Sequence, residues 1–316
     1  MIIIRSIGKA LPAKKVYNND LPKELDTNDE WIRSHTGIRS RYLCSKDELC
    51  SSLGERVCKD VLKDAGVRAE EVDLIICSTT SPDYAGFPST ACVIQDKIGA
   101  VNATCFDLIA ACTGFLYALN NAAALLKMNG WKYALVCGAE ILSSLVDWKD
   151  RSTCILFGDG AGAFLIQNIS DAEGNEKKGI GSFVSGSDGS GAKALYMDRT
   201  DGFMKMDGHA VYNFAVKVMT EAIQKIMEKE KLTQDDVDYF VCHQANERII
   251  QAAAKRLDFD MNKFICCMDE YGNTSSASIP IALYDMKKDG KIKDGTVIVS
   301  AAFGAGLTWA GTVFRF

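Results

Sequence analysis

The chain has 316 residues, enough for one large domain or two fused ones with an ample core. Hydrophobic residues make up 47% and charged residues 24%, as in an ordinary globular protein, and a net charge of −5 argues against general nucleic-acid binding, which wants a basic surface. The start, MIIIRSIGKALP, has only three apolar residues between Met1 and Arg5, too short for a secretory signal core, so its twelve cysteines are expected to be reduced thiols of a cytoplasmic protein.

In chain order, the periodicity predicts a helix over about 47–65, a strand over 72–80 (VDLIICSTT), a helix over 88–99, and a strand over 103–108 (ATCFDL). A helix over 113–129 and strands over 133–141 and 160–167 follow. Then come a helix over 208–230, a strand over 237–244, helices over 246–257 and 276–288, and strands over 295–303 and 309–316. Alternating strands and helices point to α/β layers.

The pattern repeats. Val72 aligns with Val237 (237 − 72 = 165), Leu119 with Leu283 (283 − 119 = 164) and Leu135 with Val297 (297 − 135 = 162). Near-constant offsets predict two duplicated halves, 1–168 and 169–316, joined by the polar segment 170–179.

The stretch 108–126, LIAACTGFLYALNNAAALL, has no charged side chain. It is long enough for a membrane span, but its alanines and Asn120 and Asn121 favour a buried central helix and no membrane insertion. No cysteine pair has C-x-x-C spacing, so a zinc site lacks support, and most cysteines lie in apolar strands as small hydrophobes. Cys112 differs. It sits in Ala110-Ala111-Cys112-Thr113-Gly114, where small neighbours suit a nucleophile on a sharp strand-to-helix turn. A helix start favours an anion, so the Cys112 thiol is expected below its usual value of about 8.5.

Three histidines are available as partners. His35 lies in an arginine-rich segment, His209 at a helix start, and His243 at the end of a strand, where α/β folds place catalytic groups. Asn273 in YGNTSSASIP is either a helix cap or a site residue, and Pro280 predicts a kink. FGAGLTWAG (303–311) joins two strands, so it is not a dinucleotide fingerprint; its glycines suit close backbone approach to a ligand.

The motifs AACTGF, DRSTCILFGDGAGA, HQAN, GNTSSASIP and AFGAGLTWAG together resemble the β-ketoacyl-acyl-carrier-protein synthase III family, nearly end to end. The resemblance implies a thiolase-like five-layered αβαβα fold of two duplicated halves. It implies a catalytic triad of Cys112, His243 and Asn273, with oxyanion donors from the backbone of Cys112 and Ala305. Trp31 and Arg151 match an adenine clamp for coenzyme A, Asn246 a pantetheine contact, and Phe87 an aromatic that shapes the acyl pocket across a dimer interface. His35 stands where the family often has arginine, with Arg33 nearby.

Arg248, Lys255 and Arg256 on the helix 246–257 are similar to a docking face for acidic carrier protein, opposite the apolar stripe of Ile249, Ile250, Ala253 and Leu257. The implied reaction moves an acyl group from a short acyl-CoA, such as acetyl-CoA, to Cys112. Decarboxylative condensation with malonyl-carrier protein then initiates fatty acid biosynthesis. The implied protein is a homodimer needing no cofactor or metal. A related synthase making a quinolone, polyketide or other secondary metabolite is the alternative, and a non-catalytic acyl-CoA-binding protein a third. Elongating synthases resemble Cys-His-His, and Asn273 stands where their second histidine belongs.

Overall fold

The computed structural model describes residues 1–169 and 178–316; of the expected connector 170–179, residues 170–177 lie outside them. The fold is organised by strands that are apolar on both faces. In Leu74–Ser78, Leu74 and Ile76 point to one side and Ile75 and Cys77 to the other, and all are fully buried. Such a strand needs cover on both faces, so the sheet must lie between two helical layers.

Five strands lie side by side in the order Ile2–Ala10, Gly160–Asn168, Tyr133–Glu140, Leu74–Ser78 and Thr104–Leu108. Leu74–Ser78 pairs in parallel with Thr104–Leu108 and Tyr133–Glu140, and the remaining pairings are antiparallel. A second sheet runs Gly179–Ser187, Thr308–Arg315, Val297–Gly304 and Tyr239–Phe240, again with its last pairing parallel. Phe264 makes an isolated parallel bridge to Phe240, in the place that Thr104–Leu108 holds in the first sheet.

The helices Gly114–Asn129 and Ser278–Lys288 lie between the sheets. Phe115, Leu119, Leu283 and Met286 share one core with Leu74, Ile76 and Phe164 of the first sheet and with Ile298, Ala302 and Phe314 of the second. Outside the first sheet, Cys50–Ala65 and Thr90–Ile98 cover Ile75 and Cys77. Outside the second, Gly208–Glu230 and Glu247–Leu257 cover Phe240, Val299 and Ala301. The order of layers is therefore αβαβα. Among the described residues no helix is long and apolar enough to cross a membrane, and the uncharged stretch 108–126 runs from a strand end through a turn into the 16-residue central helix Gly114–Asn129.

Several elements differ from expectation. The strand predicted at 237–244 shortens to Tyr239–Phe240, releasing His243 into a loop. Ile2–Ala10, Gly179–Ser187 and the helix Asp29–Thr36 were not anticipated. Pro280 lies inside a continuous helix, Ser278–Lys288. The last helix starts at Ser278 after a separate 3₁₀ turn, so Pro280 falls in the first turn, where its missing N–H has no intrahelical partner to lose.

Candidate active site

The strand Thr104–Leu108 ends four residues before Cys112. Ala111 then adopts φ +46°, a left-handed conformation that a β-carbon disfavours. A 3₁₀ turn, Ala111–Thr113, leads into the helix at Gly114. A β-carbon at Gly114 would lie 1.9 Å from the Ser78 hydroxyl oxygen, so only glycine lets the helix start that close to the sheet. The sharp turn expected around Cys112 is thus built from φ at Ala111 and space at Gly114.

The electrostatics run against expectation. Burial pushes the Cys112 thiol up to about 12, and the Glu140 carboxylate adds to the rise, while a bond with Ser275 and the thiol's own helix-start amide oppose it. The helix start lowers the thiol only from a value that desolvation has already raised. Glu140 is itself fully buried. It accepts from the Thr80 amide and hydroxyl, both at 2.9 Å, and from the hydroxyls of Ser81 at 3.2 Å and Ser276 at 2.9 Å.

His243 lies beyond the second sheet's short strand, 1% exposed. Its Nδ1 is 2.8 Å from the Ser278 hydroxyl, and its Nε2 is buried with no protein partner. Burial depresses the imidazole to about 3, so it is neutral at physiological pH. Asn273 is pinned by its backbone, with its N–H donating to Leu156 O at 2.8 Å and its carbonyl accepting from Gly158 N at 3.0 Å. Its side-chain Oδ1 accepts from the Ser275 amide at 2.9 Å. Cys112, His243 and Asn273 line one cavity of about 150 Å³, together with Phe157, Phe303 and Gly304.

Cys112 also borders a second cavity of about 70 Å³. Leu142, Leu145, Met197 and Met204 make that pocket apolar, and Ala111 and Ala305 also line it. The thiol therefore sits where a longer cleft meets a small apolar pocket, which is an arrangement for passing a short hydrocarbon group from one to the other. The turn carrying Ala305 is held by Thr308, whose hydroxyl lies 3.0 Å from that of Thr113 and donates to Ala305 O at 3.1 Å.

At the outer end, Gly208, Tyr212 and Asn246 are shared with a further cavity lined by His35, His209 and Arg248. The Arg151 guanidinium lies 4.8 Å from the Trp31 ring centroid. His35 stacks on Trp31, with centroids 4.2 Å apart, and its Nδ1 is 2.8 Å from Trp31 O. Arg33 pairs instead with Asp29 at 3.4 Å. Asn246 caps its helix, accepting from Arg248 N at 2.9 Å and donating to His35 O at 3.1 Å. Lys255 and Arg256 are exposed in the last turn of that helix. Phe87 is 88% exposed and lines neither cavity at Cys112.

Comparison with known proteins fits this geometry. Residues 106–189 match the family described as 3-Oxoacyl-[acyl-carrier-protein (ACP)] synthase III, and residues 227–316 match its C-terminal description. The β-ketoacyl-[acyl-carrier-protein] synthase III of Clostridium acetobutylicum is 46% identical over 322 residues, covering 98% of this chain and 97% of the relative. The chain belongs to the 3-oxoacyl-[acyl-carrier-protein] synthase III family. It is an acyl-transferring condensing enzyme. Its fold matches the crystal structure of 3-oxoacyl-[acyl-carrier-protein] synthase III from Aquifex aeolicus, with TM-score 0.94, 40% identity and full coverage of both chains. The priming β-ketosynthase of the R1128 polyketide pathway matches with TM-score 0.93 and 34% identity, covering 100% of this chain and 96% of that one.

Sequence reasoning passed over three groups. Glu140 closes an apolar strand, YALVCGAE, where a carboxylate without a nearby cation was itself a signal. Ser278 and Thr308 carry no such mark, since serine at a helix start and threonine in a strand are commonplace.

Proposed function

We propose that Cys112 takes an acyl group from a short acyl-CoA and passes it to malonyl-carrier protein, initiating fatty acid synthesis. The carrying observation is the position of the thiol between the cleft shared with His243 and Asn273 and the small apolar pocket. In the first half-reaction the Cys112 sulfur attacks the acyl thioester. Coenzyme A leaves as the thiol, so one S–H is exchanged for another and no net proton is needed. In the second, malonyl-carrier protein loses carbon dioxide, and the resulting enolate carbon attacks the Cys112 thioester and expels the sulfur as a thiolate, which takes up a proton from solvent to restore the thiol. His243 and Asn273 stabilise charge on the malonyl thioester oxygen, and the backbone amides of Cys112 and Ala305 serve the acyl oxygen.

Coenzyme A enters past Trp31, Arg151, Asn246 and the mouth at His35 and Arg248, and the carrier protein docks on Arg248, Lys255 and Arg256. The active form is a homodimer, with Phe87 reaching the partner's acyl pocket. The likeness to a polyketide priming ketosynthase supports a second reading, a starter synthase of secondary metabolism. Mass spectrometry after treatment with acetyl-CoA should place the acetyl on the peptide holding Cys112, and label on another cysteine would overturn the assignment. A panel of acyl-CoA starters with malonyl-carrier protein then separates the two readings by product.

A further inference from the structure

The helix start that follows Asn273 copies the helix start that carries the nucleophile. Ala111–Thr113 and Ser275–Ala277 are both 3₁₀ turns entering central helices, at an offset of 275 − 111 = 164. Ala111 has φ +46° and Ser275 has φ +49°, the same rare conformation at equivalent positions. The second turn carries no thiol. Instead the Ser275 amide of this turn donates to Asn273 Oδ1, and Ser278, the first residue of the helix it enters, meets His243 Nδ1 with its hydroxyl.

We propose that Ser278 is a positioning residue that fixes His243 in the tautomer with its proton on Nε2, facing the cavity. Ser278 is 2% exposed and has two polar neighbours. The Gln244 amide N–H, at 3.4 Å, donates to its oxygen, and His243 Nδ1 lies at 2.8 Å. Among the described residues the hydroxyl proton has no other acceptor than Nδ1. Were Nδ1 protonated, the serine would receive two donors and its own proton would be stranded in a buried site. Donation from Ser278 to Nδ1 satisfies every group and leaves the imidazole proton on Nε2.

That nitrogen is buried and without a protein partner, and it belongs to a side chain lining the cavity with Cys112 and Asn273. It is thus a donor held ready for a substrate oxygen. The same turn orients Asn273. With Oδ1 occupied by the Ser275 amide, the Nδ2 hydrogens are the groups left for the ligand. In the second half of the chain, the turn and the helix start that follow Asn273 set the direction of two donors instead.

The inference rests on the reading that His243 stabilises the malonyl enolate, and its test separates the two. The wild-type protein is labelled with ¹⁵N-histidine; it has three histidines, so the His243 signals are assigned by their loss in His243→Gln. Nε2 should carry the hydrogen and Nδ1 none. A hydrogen on Nδ1 overturns the proposal whatever the variants do. Ser278→Ala should release the tautomer preference and slow malonyl-carrier-protein decarboxylation by about 10²-fold, the order expected for one lost donor, while acetyl transfer to Cys112 persists. Ser278→Thr keeps the hydroxyl and should restore both the tautomer and the rate. If Ser278→Ala decarboxylates like wild type while His243→Ala does not, Ser278 has no positioning role. If His243→Ala also decarboxylates like wild type, the reading of His243 itself fails.

Discussion

Gly304 abuts Cys112: a β-carbon there would lie 2.9 Å from the Cys112 amide nitrogen and 3.0 Å from that of Thr113. The end of a strand from the second half is thus pressed against the helix start of the first. No carbon fits at 2.9 Å, so Gly304→Ala must push the two apart. Oxyanion donors act only within about 2.7–3.1 Å of the developing charge. Acetyl transfer to Cys112 should therefore fall by about 10²-fold or more in Gly304→Ala. Rapid-quench acylation with acetyl-CoA measures this, with circular dichroism showing that the fold persists. A variant acylating at the wild-type rate would show that the contact is not part of the site.

The half-reactions should separate by mutation. Asparagine does not titrate and His243 is neutral near pH 7, which suits both to donating hydrogen bonds rather than transferring protons. Asn273→Ala should still gain acetyl on Cys112, yet decarboxylate malonyl-carrier protein about 10²–10³-fold more slowly. Single-turnover assays of each step decide this. Full condensation at near wild-type rate would leave Asn273 as a structural residue that anchors the Ser275 turn.

Cys112 should be slow to ionise in the resting protein. Its thiol is pushed up to about 12, first by burial and then by Glu140. Alkylation of Cys112 by iodoacetamide should keep rising with pH through 9, without the plateau of a low-pKa catalytic thiol. Glu140→Gln removes the charge that adds to the rise and should move the profile to lower pH. A plateau near neutrality in the wild type would mean that the helix start outweighs desolvation.

The sequence disclosed those elements whose burial is written in their apolar pattern. Leu74–Ser78 and Tyr133–Glu140 are buried on both faces and were evident as strands. Gly179–Ser187, GIGSFVSGS, looks like a loop, because its strand character comes from pairing with Thr308–Arg315 and not from its own side chains. Cys112, His243 and Asn273 each stand at a junction between elements, which made them visible and which brings them to one cavity. Ser278 acts through a single hydroxyl aimed at another side chain, a relation with no period or spacing to betray it. The thiol's raised pKa was missed for a related reason. The helix start is local and legible, whereas desolvation comes from layers far away in sequence.

The subunit should pair with a second copy. Thr104–Leu108 is an edge strand whose outer side is unpaired in the monomer, and Phe87, Val101 and Ile109 near it in sequence are all largely exposed. Exposed edges and large apolar side chains are ordinarily covered. Light scattering should give twice the chain mass, and Phe87→Asp should weaken the pairing and lower condensation together. A stable, fully active monomer would remove both the interface and the role of Phe87.

His243 should also make the fold sensitive to acid. In the unfolded chain a histidine titrates near 6.5, but in the folded protein burial holds His243 to about 3. Between these values the unfolded state binds a proton that the folded state refuses. The folded state therefore loses stability as pH falls below about 6.5, and the loss is complete only near 3. At pH 5 the difference amounts to about 2 kcal/mol from this one group. Replacing it by glutamine, which does not titrate, should flatten the decline, and the other two histidines are present in both proteins and cancel. Urea midpoints at pH 7.5 and 5 for wild type and His243→Gln measure the effect. Equal declines in the two proteins would show that His243 accepts its proton in the folded state, and would contradict the neutral donor that the proposed function assigns to it.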